Sequence, residues 1–223
     1  MDEAGRLSVN MAGFARLAAA AQACTLCAGA AGRRRVLSAA NGPLDSPLMF
    51  VAEAPGRDGA DRTGVPLYGD RTGDNFAHLL DVLGWRREWI FITNAVLCNP
   101  RGPDGRNRPP TAAELRHCAP FLRATIDLVN PRYVVSLGRV ALAALDGVEA
   151  HGLDLRRDAG QRCAWRGRVL VPLYHPSPRV LASRRDLAAQ EADYRRLAAC
   201  LREDGVRPPE PFGDLCVPVD TET

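Results

Sequence analysis

Four cysteines and three polar side chains carry the strongest chemical suggestion in this chain. Cys24 and Cys27 form a C-x2-C pair, Cys98 follows an apolar run, and Cys118 falls inside a helical pattern. Four thiolates suit a tetrahedral zinc ion or a [4Fe–4S] cluster, and spacing alone does not separate the two. A plainer role for Cys118 is that of a small buried residue on a helix face. Glu53, Asn94 and His175 each lie at the end of an apolar run. If those runs are parallel strands, a carboxylate, an amide and an imidazole meet at one sheet edge. Cys163, Cys200 and Cys216 show no partner pattern, and His78, His117 and His151 read as surface or packing residues.

The elements that must position these groups alternate. From Met11 to Ala23 apolar residues recur with a helical period and lead into C-x2-C and then Arg33–Arg35. Leu48–Ala52 reads as a buried strand feeding the acidic, Gly-rich segment EAPGRDGADRTG. A helix follows from about Asp74 to Leu83, then a strand over Ile90–Val96 and a Pro/Gly/Arg loop over 99–110. Thr111 with Glu114 forms a capping box that opens a helix to Val129. Arg132–Leu137 is the third strand, followed by Gly138 and a helix to about Leu145. Arg168–Leu173 is the fourth and runs into Tyr174-His-Pro-Ser177. A charged helix from about Arg184 to Leu201 closes a single domain over residues 1–204, and a Pro-rich tail, expected to be poorly ordered, covers 205–223. This alternation predicts an α/β fold with a parallel sheet covered on both faces, its ligand beyond the carboxyl ends of the strands.

Composition narrows the classes. The chain has 223 residues, 46% hydrophobic and 25% charged, which suits a globular domain and excludes a disordered one. A net charge of +3 permits a polyanionic partner without requiring it. All 29 basic residues are Arg, so no side-chain amine is available for Schiff-base chemistry. No apolar run approaches a membrane span, and MDEAGRLSVN lacks a signal h-region, so a cytoplasmic protein is expected. In a reducing cytosol, clustered thiols point to metal before disulfides.

The order C-x2-C, AEAPGRDGADRTGVPLYGD, ITNAVLCNP, a further cysteine, VVSLG and YHPS resembles the iron–sulfur uracil-DNA glycosylases, families 4 and 5. Glu53 in AEAPG is similar to family 4, whereas the longer loop with RTG and Gly69-Asp70 is similar to family 5. The resemblance implies a three-layer α/β/α sandwich with a four-stranded parallel sheet. It also implies a structural [4Fe–4S] cluster on Cys24, Cys27, Cys98 and Cys118, and hydrolysis of the base–sugar bond of uracil in DNA. Where both families place a Phe to stack on the flipped base, this chain has Leu67 and then Tyr68.

Cleaving an N-glycosidic bond develops positive charge on the sugar and negative charge on the departing base. Glu53 or Asp70 would orient water and stabilise the sugar cation, His175 would donate to a base carbonyl, and Asn94 would read the imide edge. Ala54, Pro55, Gly56, Leu67, Tyr68, Ser177 and Arg179 would line the base pocket. Arg71, Arg101, Arg106, Arg108 and Arg179 would hold phosphates, and Pro176–Arg179 would fill the vacated stack. Plainer roles are an ion pair for Glu53 and a helix cap for Asp70. Without Lys, the expected enzyme is a monofunctional glycosylase that leaves an abasic site for base excision repair and acts as a monomer on DNA. Two alternatives stay open: a glycosylase specialised for modified bases, such as an anti-phage enzyme, and a non-catalytic iron–sulfur module that binds lesions.

Overall fold

Leu48–Ala52 forms β1, every residue of it buried, and its side chains alternate between two cores. Leu48, Phe50 and Ala52 enter one; Met49 and Val51 enter the other. The computed structural model describes residues 3–209. In it β1 is flanked in parallel by β2 (Phe91–Asn94) and β3 (Tyr133–Leu137), with Ala52 opposite Asn94 and Val51 opposite Ser136. After β4 (Cys163–Trp165), β5 (Arg168–Leu173) returns parallel to β3, giving the order β2-β1-β3-β5-β4. Such strands, buried on both faces, read as unbroken apolar runs, which is why they are visible in the sequence.

The helices are, in chain order, α1 (Glu3–Gln22), α2 (Ala60–Thr63), α3 (Arg71–Leu83), α4 (Ala112–Val129), α5 (Arg139–Asp146), α6 (Leu155–Asp158), α7 (Pro178–Ser183) and α8 (Leu187–Glu203). One core takes Phe76, Leu79, Leu80 and Leu83 of α3 and Tyr194, Leu197 and Leu201 of α8. The other takes Phe14 of α1, Leu122 and Ile126 of α4, and Leu142 and Leu145 of α5. Phe50 meets Phe76 edge-on at 5.2 Å and stacks with Tyr194 at 6.3 Å, fastening β1 to both helices of its layer. The three-layer α/β/α sandwich is therefore present.

Several expectations are corrected. The sheet has five strands, not four: β4 pairs antiparallel with β5 at the edge. A two-residue turn with Arg166 (φ 49) and Gly167 (φ 70) joins them, so a short W-R-G-R hairpin escaped the apolar-run criterion. The first helix starts at Glu3 rather than Met11, and β2 is shorter than Ile90–Val96. The helix expected from Asp74 begins at Arg71, because the Asp70 carboxylate accepts from Gly73 N at 3.0 Å. The helix expected from Arg184 begins at Leu187, where Asp186 caps α8, and the short α7 that precedes it, Pro178–Ser183, was not foreseen. Val206 packs into the α3/α8 core, and residues 210–223 of the expected tail, Cys216 among them, lie outside the described residues. Among the described residues no helix is long and apolar enough to cross a membrane.

Candidate active site and thiol pocket

The strand order reverses between β1 and β3, and the carboxyl ends of the four parallel strands open into a cleft of about 390 Å³. Asn94 ends β2, Glu53 follows β1, Gly138 follows β3 and His175 follows β5. Asn94, Glu53 and His175 all line the cleft, together with Ala54, Pro55, Gly56, Leu67, Tyr68, Asp70, Ser177 and Arg179. Every cleft residue expected from the sequence is thus brought to one cavity.

What distinguishes these groups is how little the protein satisfies them. Among the described residues the Glu53 carboxylate makes no hydrogen bond or ion pair. Burial pushes its pKa up, and the through-space attraction of Arg139 and Arg179 only partly offsets this. Asn94 is 2% exposed and its Nδ2 has no acceptor. Among the described residues the imidazole of His175 also lacks a hydrogen-bond partner, and burial brings its pKa down to about 4, so it is neutral at pH 7. Unpaired polar groups of this kind are rare in a folded interior and mark places where a ligand supplies the missing partners.

The loop after β1 is built around Asp70. A Cβ at Gly56 or Gly59 would run into its carboxyl group, so both glycines of A-P-G-R-D-G admit it. Asp70 therefore does the capping work foreseen as its plainer role while also facing the cleft. Leu67 has a φ of 47°, which a branched side chain adopts only under constraint. The constraint is visible: the half-buried Arg87 guanidinium donates to the carbonyls of Pro66 and Leu67, and Gly73 of α3 lets its helix press against Leu67 O and Tyr68 Cα. Leu67 packs against the α3/α8 core, whereas Tyr68 is 57% exposed at the cleft.

Of the five arginines expected to hold phosphates, Arg101 is paired with Asp61, and Arg108 grips Glu114 through two bonds of 2.7 Å. Both are internal braces. Arg106 stands 3.8 Å from Asp104, and the guanidinium groups of Arg71 and Arg179 make no hydrogen bond or ion pair among the described residues. Arg139, which the sequence reading passed over, is also exposed and unpaired at the first turn of α5. Its signal was its position directly after strand-end Gly138.

Behind the cleft, Cys24, Cys27, Cys98 and Cys118 line one pocket. The first two follow α1, the third lies after β2, and Cys118 is buried on α4. Burial, reinforced by the neighbouring thiols, raises the pKa of Cys27 and Cys98 and takes Cys118 to about 11. Four soft donors pressed together suit a cationic centre, which would release their protons on binding. Yet no three or more His, Cys, Asp or Glu among the described residues are drawn into a single-ion site. His117 is not a mere packing residue: its Nδ1 lies 3.3 Å from Cys27 Sγ. Its clue was its place beside Cys118. Asn99 was missed as well, although it follows Cys98. It lines both pocket and cleft, and its Nδ2 donates to Pro55 O at 2.6 Å and to Asn107 Oδ1 at 2.9 Å.

Comparison with known proteins agrees with this geometry. A family model described as the uracil DNA glycosylase superfamily matches residues 39–199. The chain is 36% identical over 155 residues to a type-4 uracil-DNA glycosylase of Thermotoga maritima, covering 69% of this chain and 76% of that protein. It is 32% identical over 142 residues to a type-4 enzyme of Pyrobaculum aerophilum, covering 61% of this chain and 69% of that protein. A type-5 enzyme of the same organism is 32% identical over 157 residues, covering 61% of this chain and 64% of its own length.

Proposed function

Because the chain belongs to the uracil DNA glycosylase superfamily, we propose that its cleft hydrolyses the N-glycosidic bond of uracil in DNA. One observation carries this reading. A carboxylate, a buried amide and a neutral imidazole, from three different strand ends, line one cavity with their polar atoms unpaired. In hydrolysis the C1′–N1 bond breaks with both electrons leaving on the base, and a water oxygen bonds to C1′. Glu53 orients that water, accepts its proton and faces the cationic sugar. The neutral His175 donates an N–H to the base carbonyl as charge develops there, as a preorganised donor would. Asn94 offers one donor and one acceptor, matching the imide edge of uracil and mismatching the amine edge of cytosine. Asp70 shapes the loop, its carboxylate already spent on the α3 cap. Tyr68 supplies the aromatic face for the flipped base, while Leu67 serves the core. Ala54, Pro55 and Gly56 wall the base pocket, and Ser177 and Arg179 belong to the segment that enters the vacated stack. With no Lys in the chain, the product is an intact abasic site.

The thiol pocket is proposed to hold a structural [4Fe–4S] cluster on Cys24, Cys27, Cys98 and Cys118. The donor set suits iron–sulfur or zinc alike, and what favours the cluster is the resemblance of the motifs around these cysteines to the iron–sulfur uracil-DNA glycosylases. When bound, it would supply a cross-link between the end of α1, the loop after β2 and α4. An absorbance shoulder near 400 nm is expected; a colourless, zinc-loaded protein would replace the cluster with zinc.

The activity test is alkaline cleavage of oligonucleotides carrying U·G, U·A, hypoxanthine or modified cytosines. Release of uracil, slowed about a hundredfold or more but still measurable in His175→Ala, is the expected result. Release confined to a modified base would transfer the assignment to a specialised glycosylase, a reading that Leu67 in place of the usual stacking Phe favours. Binding without release of any base would make the protein a lesion-recognition module.

A further inference from the structure

The segment His175–Pro178 has few means of holding itself. Pro176 and Pro178 have no N–H, and the Ser177 side chain makes no capping bond to α7. Its carbonyls are held instead. Asn75, half-buried on α3, donates Nδ2 to Pro176 O at 2.8 Å across 101 residues of sequence. Gln190, 1% exposed on α8, directs Nε2 to His175 O at 3.4 Å. One turn beyond Asn75, His78 Nε2 lies 2.8 Å from Glu191 Oε1, tying α3 to α8 beside this grip. The start of α3 meanwhile supports the opposite wall, where Asp70 caps it and Gly73 contacts Leu67 O and Tyr68 Cα. A single helix thus touches the loop of the exposed aromatic and the loop of the imidazole.

We propose that Asn75 is a positioning residue for the reaction: by holding the Pro176 carbonyl from α3, it fixes the imidazole of His175 relative to the wall that carries Tyr68. The inference rests on the glycosylase reading of the cleft. Its action runs through His175, so its loss matters only while His175 is present.

The test is a mutant cycle read by single-turnover release of uracil from a uracil-containing oligonucleotide, with DNA affinity and melting midpoint measured alongside. Asn75→Leu and the isosteric Asn75→Asp both remove the donor. Each is expected to slow release about tenfold with DNA affinity within about twofold of wild type, the pattern of an interaction realised in the transition state. In a His175→Ala background the same substitutions should change the rate by less than about twofold. If Asn75→Leu melts well below wild type, Asn75→Asp carries the comparison. Full activity in Asn75→Asp, an undiminished penalty in the His175→Ala background, or a loss confined to DNA affinity would overturn the assignment. A wild-type protein inactive on uracil would instead overturn the glycosylase reading, which separates the two failures.

Discussion

The thiol pocket and the cleft lie back to back, share Asn99, and gather their polar groups from distant stretches of chain, yet they are held in opposite ways. Around the thiols the backbone is stitched by arginines. Arg35 donates to Cys24 O at 2.6 Å, Arg33 to Asn99 O at 2.6 Å, and Arg108 braces Glu114, whose pKa falls to about 2. The thiols themselves face one another, so one cationic centre would satisfy all four. In the cleft each group comes alone from its own strand end, and under the proposed function each takes a different partner: water for Glu53, an imide for Asn94, a carbonyl for His175. The first arrangement gains stability when filled; the second forgoes stability in the empty protein so that a substrate can complete it.

That contrast predicts opposite signs for removal of a group. If the thiol pocket holds the proposed cluster, Cys98→Ala should release it, lower the melting midpoint by about 10 °C and take activity with it, since losing a structural metal link removes folding free energy directly. Glu53→Gln should reduce uracil release by about a hundredfold or more. Its melting midpoint should hold or rise, because burial disfavours the ionised carboxylate it replaces. Calorimetry and metal analysis on both variants check this. A stabilised Cys98→Ala, or a destabilised Glu53→Gln, would dissolve the distinction between the two regions.

The two regions also differ in how legible they were. The cleft could be read because parallel strands buried on both faces are apolar runs, and the residue after each run is forced to the same edge. Glu53 follows from that rule directly and His175 lies one residue beyond it, whereas Asn94 fell inside the expected strand Ile90–Val96 and reaches the edge because β2 ends there. The thiol pocket was half legible: C-x2-C is local, but the nearness of Cys98 and Cys118 depends on α4 packing behind β2. Internal commitments were not legible at all. Nothing local shows that Arg101 seeks Asp61, that Arg108 seeks Glu114, or that His117 turns to Cys27, since those pairings depend on loop paths. The β4–β5 hairpin was hidden for another reason: a three-residue edge strand is too short for a periodic signal.

A smaller effect sharpens the account of the cleft through acid titration. The His175 pKa is lower in the folded protein, about 4, than the unfolded value near 6.5. Between these values the unfolded chain takes up the proton and the folded protein does not. Stability should therefore fall as pH drops from about 6.5 to 4 and level off below, by about 3 kcal/mol in all from this group. Urea unfolding at pH 7 and pH 4.5 measures it, and His175→Gln should remove that part of the pH dependence. An unchanged slope in His175→Gln would mean that the imidazole is not held neutral.

The smallest predicted change tests whether Arg139, outside the cleft lining but within electrostatic reach of Glu53, serves the site. Arg139 partly offsets the burial that raises the Glu53 pKa and has no ion pair among the described residues, unlike Arg101 and Arg108. Arg139→Gln should raise the Glu53 pKa further, moving the acid limb of the pH–rate profile to higher pH. If the same guanidinium meets a phosphate, the variant should bind DNA a few-fold more weakly, with the slope of log K against log salt reduced by about one. Arg101→Gln should leave the acid limb where it is and disturb stability instead, because its charge is already spent on Asp61. A shifted limb with an unchanged salt slope would make Arg139 a partner of Glu53 alone; the reverse would make it a phosphate contact alone.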